Sequence, residues 1–156
     1  MNHIQNQFSL EGKTALITGS YRGLGLSIAT GLAEAGARVL INGRSNEGVD
    51  SAVVDLRKQG FEAEGFAFDI TDVEAVDASL ARIQMEIGAI DVLVNNAGIH
   101  KRNPILDMSV EDFKEVLDVN LTSAFIMSKA VAVEMIERGR GKIINVCSLM
   151  SHLARP

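Results

Sequence analysis

Residues 13–36 read KTALITGSYRGLGLSIATGLAEAG. Ala15, Leu16, Ile17 and Thr18 make a short apolar run of β character, broken by glycines at 19, 23 and 25. A helical pattern follows, with Leu26, Ala29, Leu32 and Ala33 on one face and Gly36 where a C-terminal cap belongs. A strand that turns through glycines into a helix suits an anion: glycine lets the backbone approach it, and the free N–H groups at the helix start point at it. A tight strand-to-helix connection with no ligand would look the same, so the rest of the chain has to decide.

Outward from this stretch the alternation continues. Residues 1–12 form a polar lead-in. A second apolar run, residues 38–42 (RVLIN), ends at Gly43. Residues 46–59 carry Val49, Val53 and Leu56 at helical spacing, and Gly60 stops them. A weaker strand spans 62–68 and is closed by Asp69. Thr71, with Glu74 three residues on, is expected to cap a helix whose apolar face is Val73, Val76, Leu80, Ile83 and Ile87. Residues 91–94 (DVLV) form a fourth strand that runs into Asn95-Asn96-Ala97-Gly98. Ser109 and Asp112 make another cap; two helical stretches then run to about Arg138, with Asn120 between them. Residues 142–147 (KIINVC) form the fifth strand. Strands apolar on both faces that alternate with helices predict an α/β domain, a doubly wound parallel sheet in three α/β/α layers.

The 156 residues suit one domain, 1–156, with a real core. Fifteen Lys and Arg against twenty Asp and Glu give a net charge of −5, which argues against nucleic acid or an anionic membrane as the main partner. No run approaches the roughly 18 apolar residues of a membrane span, and the N-terminus lacks a signal-like apolar core. A lone cysteine, Cys147, points to a reducing, cytoplasmic setting and reads as a small buried hydrophobe. No metal-ligand spacing joins the histidines to carboxylates or the cysteine.

In a doubly wound sheet, ligands bind at the carboxyl ends of the strands. The unusual residues fall there: the glycine turn, Gly43-Arg44, Asp69-Ile70, Asn95 to Gly98, and Ser148. On these motifs, with Asn120 in a Val-Asn context, the chain resembles the short-chain dehydrogenase/reductases, which are Rossmann-like. The resemblance covers essentially the whole chain. It implies that Gly19, Gly23 and Gly25 shape the cofactor turn, and that Ser20, Arg22 and Leu24 wrap the pyrophosphate and adenosine ribose. It further implies that Asp69 and Ile70 hold the adenine, and that Asn96, Ala97 and Gly98 support the sheet and the nicotinamide ribose. Ser148 is expected to hydrogen-bond the reacting oxygen, and Asn120 to hold a water in a proton relay. An NAD site commonly places a carboxylate at the end of strand two, to bond the ribose 2′-OH. Here that corner is Asn42-Gly43-Arg44, so Arg44 with Arg22 predicts a clamp on a 2′-phosphate, hence NADP.

The family's Tyr-x-x-x-Lys does not occur in the eight residues after Ser148, and the only tyrosine is Tyr21. The expectation is therefore the N-terminal part of a longer enzyme or a natural truncation, incomplete at the C-terminus of the fold, inactive alone, and with an apolar edge at strand five. Within the family the runs FSLEGKTALITGS, DVLVNNAGI and INVCS most resemble the branch that interconverts D-gluconate and 5-keto-D-gluconate. For such a sugar acid, His100, Lys101 and Arg102, or His152 and Arg155, are candidate carboxylate binders. A 3-oxoacyl-carrier-protein reductase and a catalytically silent dinucleotide-binding module stay open as alternatives. Phe125, Ile126, Ala130, Val133 and Met135 give the helix before strand five an apolar face, for the core or for a homo-oligomer of the full-length protein.

Overall fold

The structure, a computed structural model, describes residues 7–148. Five strands alternate with helices. Strand β1 is Thr14–Ile17, helix α1 Gly23–Glu34, strand β2 Arg38–Gly43, helix α2 Asn46–Lys58 and strand β3 Ala63–Ala67. Helix α3 is Val73–Glu86, strand β4 Val92–Asn95, helix α4 Val110–Leu117, helix α5 Ser123–Glu137 and strand β5 Lys142–Asn145. The strands form one sheet in the order β3-β2-β1-β4-β5, and every pairing is parallel. The order reverses at β1, so the crevice beyond β1 and β4 is the switch point of a doubly wound fold.

The strands are apolar on both faces because both are covered. Ala15, Ile17, Val39, Ile41, Val92 and Val94 meet the residues of α1 and α2, among them Ala29, Val49 and Leu56. The alternate residues Leu16, Leu40 and Leu93 face Val76 and Ile83 of α3 and Met127 and Val131 of α5. Each fully buried Leu or Ile is worth about 1.5–3 kcal/mol in transfer free energy. Substituting a polar residue on either face of these three central strands therefore strips one of the two layers.

Local chemistry sets the helix ends. Ser45 and Ser109 accept from Gly48 N and Asp112 N, as N-caps do. The expected Thr71 cap is corrected: Asp72 caps α3 by accepting from the N–H groups of Glu74 and Ala75. Thr71 instead gives its N–H and hydroxyl to Asp69 Oδ1, at 2.9 and 2.7 Å. A carboxylate one residue closer to the helix is the better acceptor for its first turn. Gly36 and Gly88 follow α1 and α3 at φ of 98° and 106°, values that favour glycine.

Two further expectations change at the β5 side of the sheet. Cys147 is exposed, not buried, and among the described residues β5 pairs with β4 alone. Strand β5 itself is exposed along its length, with Ile143 at 38% and Ile144 at 47%. The helical run Val110–Glu137 is long and apolar enough to cross a membrane by length and composition alone, although charged residues interrupt it in sequence. Its apolar side chains divide between two directions. Met127, Val131 and Met135 enter the core, while Phe125, Val133 and Ile136 form an outer ridge. The expected single apolar face is thus two, one for the sheet and one for the surface.

At the opposite end of the sheet from the switch point, Asp91 joins three elements. Its carboxylate accepts from Thr14 N at 3.2 Å and from Arg138 Nη1 at 3.0 Å, and Arg138 Nη2 also donates to Ile90 O at 2.6 Å. Burial pushes the Asp91 carboxyl up, but the Thr14 N–H, Arg138 and Lys13 outweigh it and hold it below its ordinary value. A depressed carboxyl stabilises the fold above its unfolded pKa, and that contribution disappears as pH falls through the folded value. D91N is therefore expected to cost about 1–3 kcal/mol at pH 7. The difference from wild type should fade below about pH 4. Denaturant unfolding of both proteins at the two pH values checks this.

Candidate functional site

Two interlocked loops build the floor of the crevice. Thr18 Oγ1 accepts from the N–H groups of Asn96 and Ala97, both at 3.0 Å. In return Asn96 Nδ2 donates to Thr18 O at 2.9 Å and Gly19 O at 3.2 Å. This leaves no room at two glycines. A Cβ on Gly25 would stand 2.5 Å from both Asn96 Nδ2 and Gly19 O, and one on Gly19 would stand 3.0 Å from Ala97. Gly23 differs: its φ is 58° and the space before it is open.

Asn42 holds the second corner. Its buried side chain accepts from Gly19 N and donates to Phe66 O and Phe68 O, tying the glycine turn to β2 and β3. Ser20 is part of this brace. Its hydroxyl donates to Ile17 O at 2.7 Å and accepts from Asn42 N at 3.0 Å. The side chain of Ser20, a residue expected to wrap the cofactor, is fully buried and turned into the fold. Asn42, passed over in the sequence for lacking a charge, is what positions the turn; its signal was a polar residue closing an otherwise apolar strand.

Above this floor lies a cleft of about 470 Å³. Gly19, Gly23, Leu24 and Gly25 line one wall, with Arg22 and Arg44 beside them. Asp69 and Ile70 line another, and Asn96, Ala97 and Gly98 the third, where Ile99, Val119 and Val146 close the inner end. The structure thus gathers every expected cofactor residue except Ser20. Ser148 is exposed two residues beyond Val146, past the strand end that reaches the cleft. Arg102 is exposed and does not line the cleft. His152 and Arg155 lie outside the described residues. Lys101 is bound by Asp112, at 2.6 Å, and by Glu115, which pins the loop after β4 onto α4.

The electrostatics favour an anion at the glycine turn. Helices α2, α3 and α4 each have a side-chain N-cap, whereas Arg22, the residue before α1, makes no side-chain cap and the first turn of α1 has no acidic residue. Its partial positive charge faces the cleft. Asp69 supplies the opposite sign at the far wall. Burial raises its carboxyl, but the N–H and hydroxyl of Thr71 and the Arg44 charge win and keep it below the usual value, hence ionised near neutrality.

Asn120 sits in a π-helical turn, Asp118–Thr122, that joins α4 to α5. Its amide makes a two-point clamp on Ile99: Oδ1 accepts from Ile99 N at 2.8 Å and Nδ2 donates to Ile99 O at 2.9 Å. Such wide turns inside helices often mark functional positions. Here the turn aims the amide at the loop that carries Gly98, whose missing Cβ would lie 3.3 Å from Asn120 Oδ1.

A doubly wound α/β fold with a glycine turn opening on a cleft, the dinucleotide-binding class of fold, is what these features define. Short chain dehydrogenases match residues 13–156, and the chain belongs to that family. It is 49% identical over 149 residues to a 2-dehydro-3-deoxy-D-gluconate 5-dehydrogenase of Formosa agariphila, covering 95% of this chain and 56% of that protein. It is 47% identical to a gluconate 5-dehydrogenase of Gluconobacter oxydans, covering 96% of this chain and 58% of that one. The crystal structure of a gluconate 5-dehydrogenase from Burkholderia cenocepacia in complex with NADP and tartrate superposes with a TM-score of 0.94 at 46% identity, covering 99% of this chain and 60% of that one. The chain spans a little under 60% of the length of these curated relatives.

The glycines separate into crowded and open positions, and substitution should follow that division. G25A forces Asn96 away from the turn and should lower stability by about 1–3 kcal/mol. G31A, in the middle of α1 with open space around it, should raise stability by about 0.5–1 kcal/mol through helix propensity. Thermal unfolding of the two variants beside wild type measures both.

Proposed function

We propose that the protein is an NADP-dependent oxidoreductase that interconverts a carbinol and a ketone on a sugar acid, D-gluconate and 5-keto-D-gluconate being the first pair to test. The observation that carries the reading is the cleft itself: an uncapped helix start, two arginines and no carboxylate at the end of β2. The residues fit the cofactor. Gly23 leaves open space for a pyrophosphate at the α1 N-terminus, and Arg22 and Arg44 offer planar donors to a 2′-phosphate. Asn42, held by three hydrogen bonds, presents no negative charge there.

The bound nicotinamide would supply the hydride donor or acceptor. This chain's residues do the positioning. Asn96, Ala97 and Gly98 form the wall along which the nicotinamide ribose would lie. The Ser148 hydroxyl orients the reacting oxygen of the substrate. Asn120 keeps the Gly98–Ile99 loop in place with one N–H and one lone pair of its amide, and offers the second N–H or lone pair to an ordered water for proton transfer. A cytoplasmic setting goes with this reading. The relative named for 2-dehydro-3-deoxy-D-gluconate favours that acid as a second substrate to test.

The experiment is direct. NADPH should bind more tightly than NADH, and R22A and R44A should each weaken NADPH by about tenfold while leaving NADH little changed. Equal affinity for both cofactors overturns the NADP assignment. Turnover of D-gluconate with NADP by the full-length protein, lost in S148A, tests the substrate; turnover only of the 3-deoxy acid moves the assignment to the second reading.

The outer ridge of α5 supports self-association. Phe125, Val133 and Ile136 are 65%, 59% and 77% exposed, apolar surface that water disfavours. F125D should reduce the oligomer to smaller species in light scattering of the full-length protein. An unchanged mass would remove this face from the interface.

A further inference from the structure

Tyr21 is the only tyrosine of the chain, and it sits in the glycine turn between Ser20 and Arg22. Its ring is wedged between two glycines that flank Arg44. A Cβ on Gly43, the last residue of β2, would lie 2.3 Å from Tyr21 Cδ1 and 2.8 Å from Cε1. A Cβ on Gly48, in the first turn of α2, would lie 2.7 Å from Cδ2 and 3.1 Å from Cε2. The two edges of one ring therefore fill the spaces left by two absent side chains. The same ring carries the Arg22 guanidinium over it, at 5.1 Å from the centroid. Its hydroxyl has no hydrogen bond among the described residues, so the ring, not the phenol, makes these contacts.

From this we infer that Tyr21 is a positioning residue for recognition of the ribose 2′-phosphate: its ring, locked between Gly43 and Gly48, sets the spacing and direction of the Arg22 and Arg44 guanidinium groups. The physical reason is that Arg22 and Arg44 come from different loops with no bond between them. A long cation loses freedom on binding a phosphate unless something holds it beforehand. The stacked ring restrains Arg22 by a cation–π contact. Its wedge against Gly43 and Gly48 fixes the β2–α2 corner from which Arg44 projects. The pyrophosphate end of the cleft depends instead on the α1 N-terminus and the Thr18–Asn96 latch. Loss of the ring should therefore be felt by NADP far more than by NAD. This inference rests on the NADP reading above and extends it to Tyr21, which lines the cleft beside the two arginines.

The test is titration of the full-length protein and its variants with NADPH and with NADH, beside thermal unfolding of each. Y21A is expected to weaken NADPH about five- to tenfold and NADH less than about twofold. Y21F, which keeps the ring, should retain the preference. G48A should reproduce the NADPH loss, because its methyl group displaces the ring. In the double variant Y21A/G48A the second substitution should add nothing, since the ring it collides with is gone. Y21L serves if Y21A does not fold, as it fills the wedge without a face for the arginine. Equal losses for both cofactors in Y21A or Y21L, or additive losses in the double variant, would overturn the positioning role while the wild-type preference for NADPH still stood. A wild-type protein without that preference would overturn the NADP reading, and this inference with it.

Discussion

The architecture depends on the latch between the ends of β1 and β4. Thr18 Oγ1 takes two backbone N–H groups from the loop after β4, and Asn96 returns its amide to two carbonyls of the glycine turn. Parallel strands end with their polar groups pointing out of the sheet, and a crevice there would leave several of them buried without partners. The latch satisfies them with side chains of fixed length. It also brings the turn so close to the loop that only glycine fits at positions 19 and 25. The cleft is thereby held open at its centre by hydrogen bonds that no ligand has to supply.

Charge in the cleft follows the same economy. The residues nearest the floor are neutral and fully engaged: Asn42, Ser20, Thr18 and Asn96. Positive charge is delivered from the rim, by Arg22, Arg44 and the uncapped start of α1. The one carboxylate, Asp69, stays ionised through Thr71 and Arg44 and lies on the wall away from the turn. An anion entering the cleft therefore meets donors first and need not displace an internal ion pair between the arginines and the floor.

Much of this was legible in the chain. The glycine spacing, the apolar strand periods and the polar residues at strand ends specify a doubly wound sheet, because each is a local requirement of backbone geometry. The caps at Ser45 and Ser109 are equally local. Some expectations changed locally, as at Thr71, where the neighbouring Asp72 is the better cap; others changed because of how distant segments meet. Ser20 looked like a ligand group, yet its partner is Asn42 on the next strand. Lys101 looked available, yet it is held by Asp112 and Glu115 on α4. Cys147 sits in an apolar run, yet it is exposed where, among the described residues, β5 pairs with β4 alone.

Local rules of covalent geometry and periodicity were thus enough to say what kind of sheet forms and at which end its cleft opens. Which polar side chains face that cleft and which brace its walls was decided only when distant segments met. Hydrogen-bond capacity is shared through space, and a donor already spent inside the fold is not available to the cleft. Asn120 shows the division. Its place between two helical stretches was visible in the chain, but the π-helical turn and the clamp on Ile99 exist only because α4 and α5 pack beside the loop that follows β4.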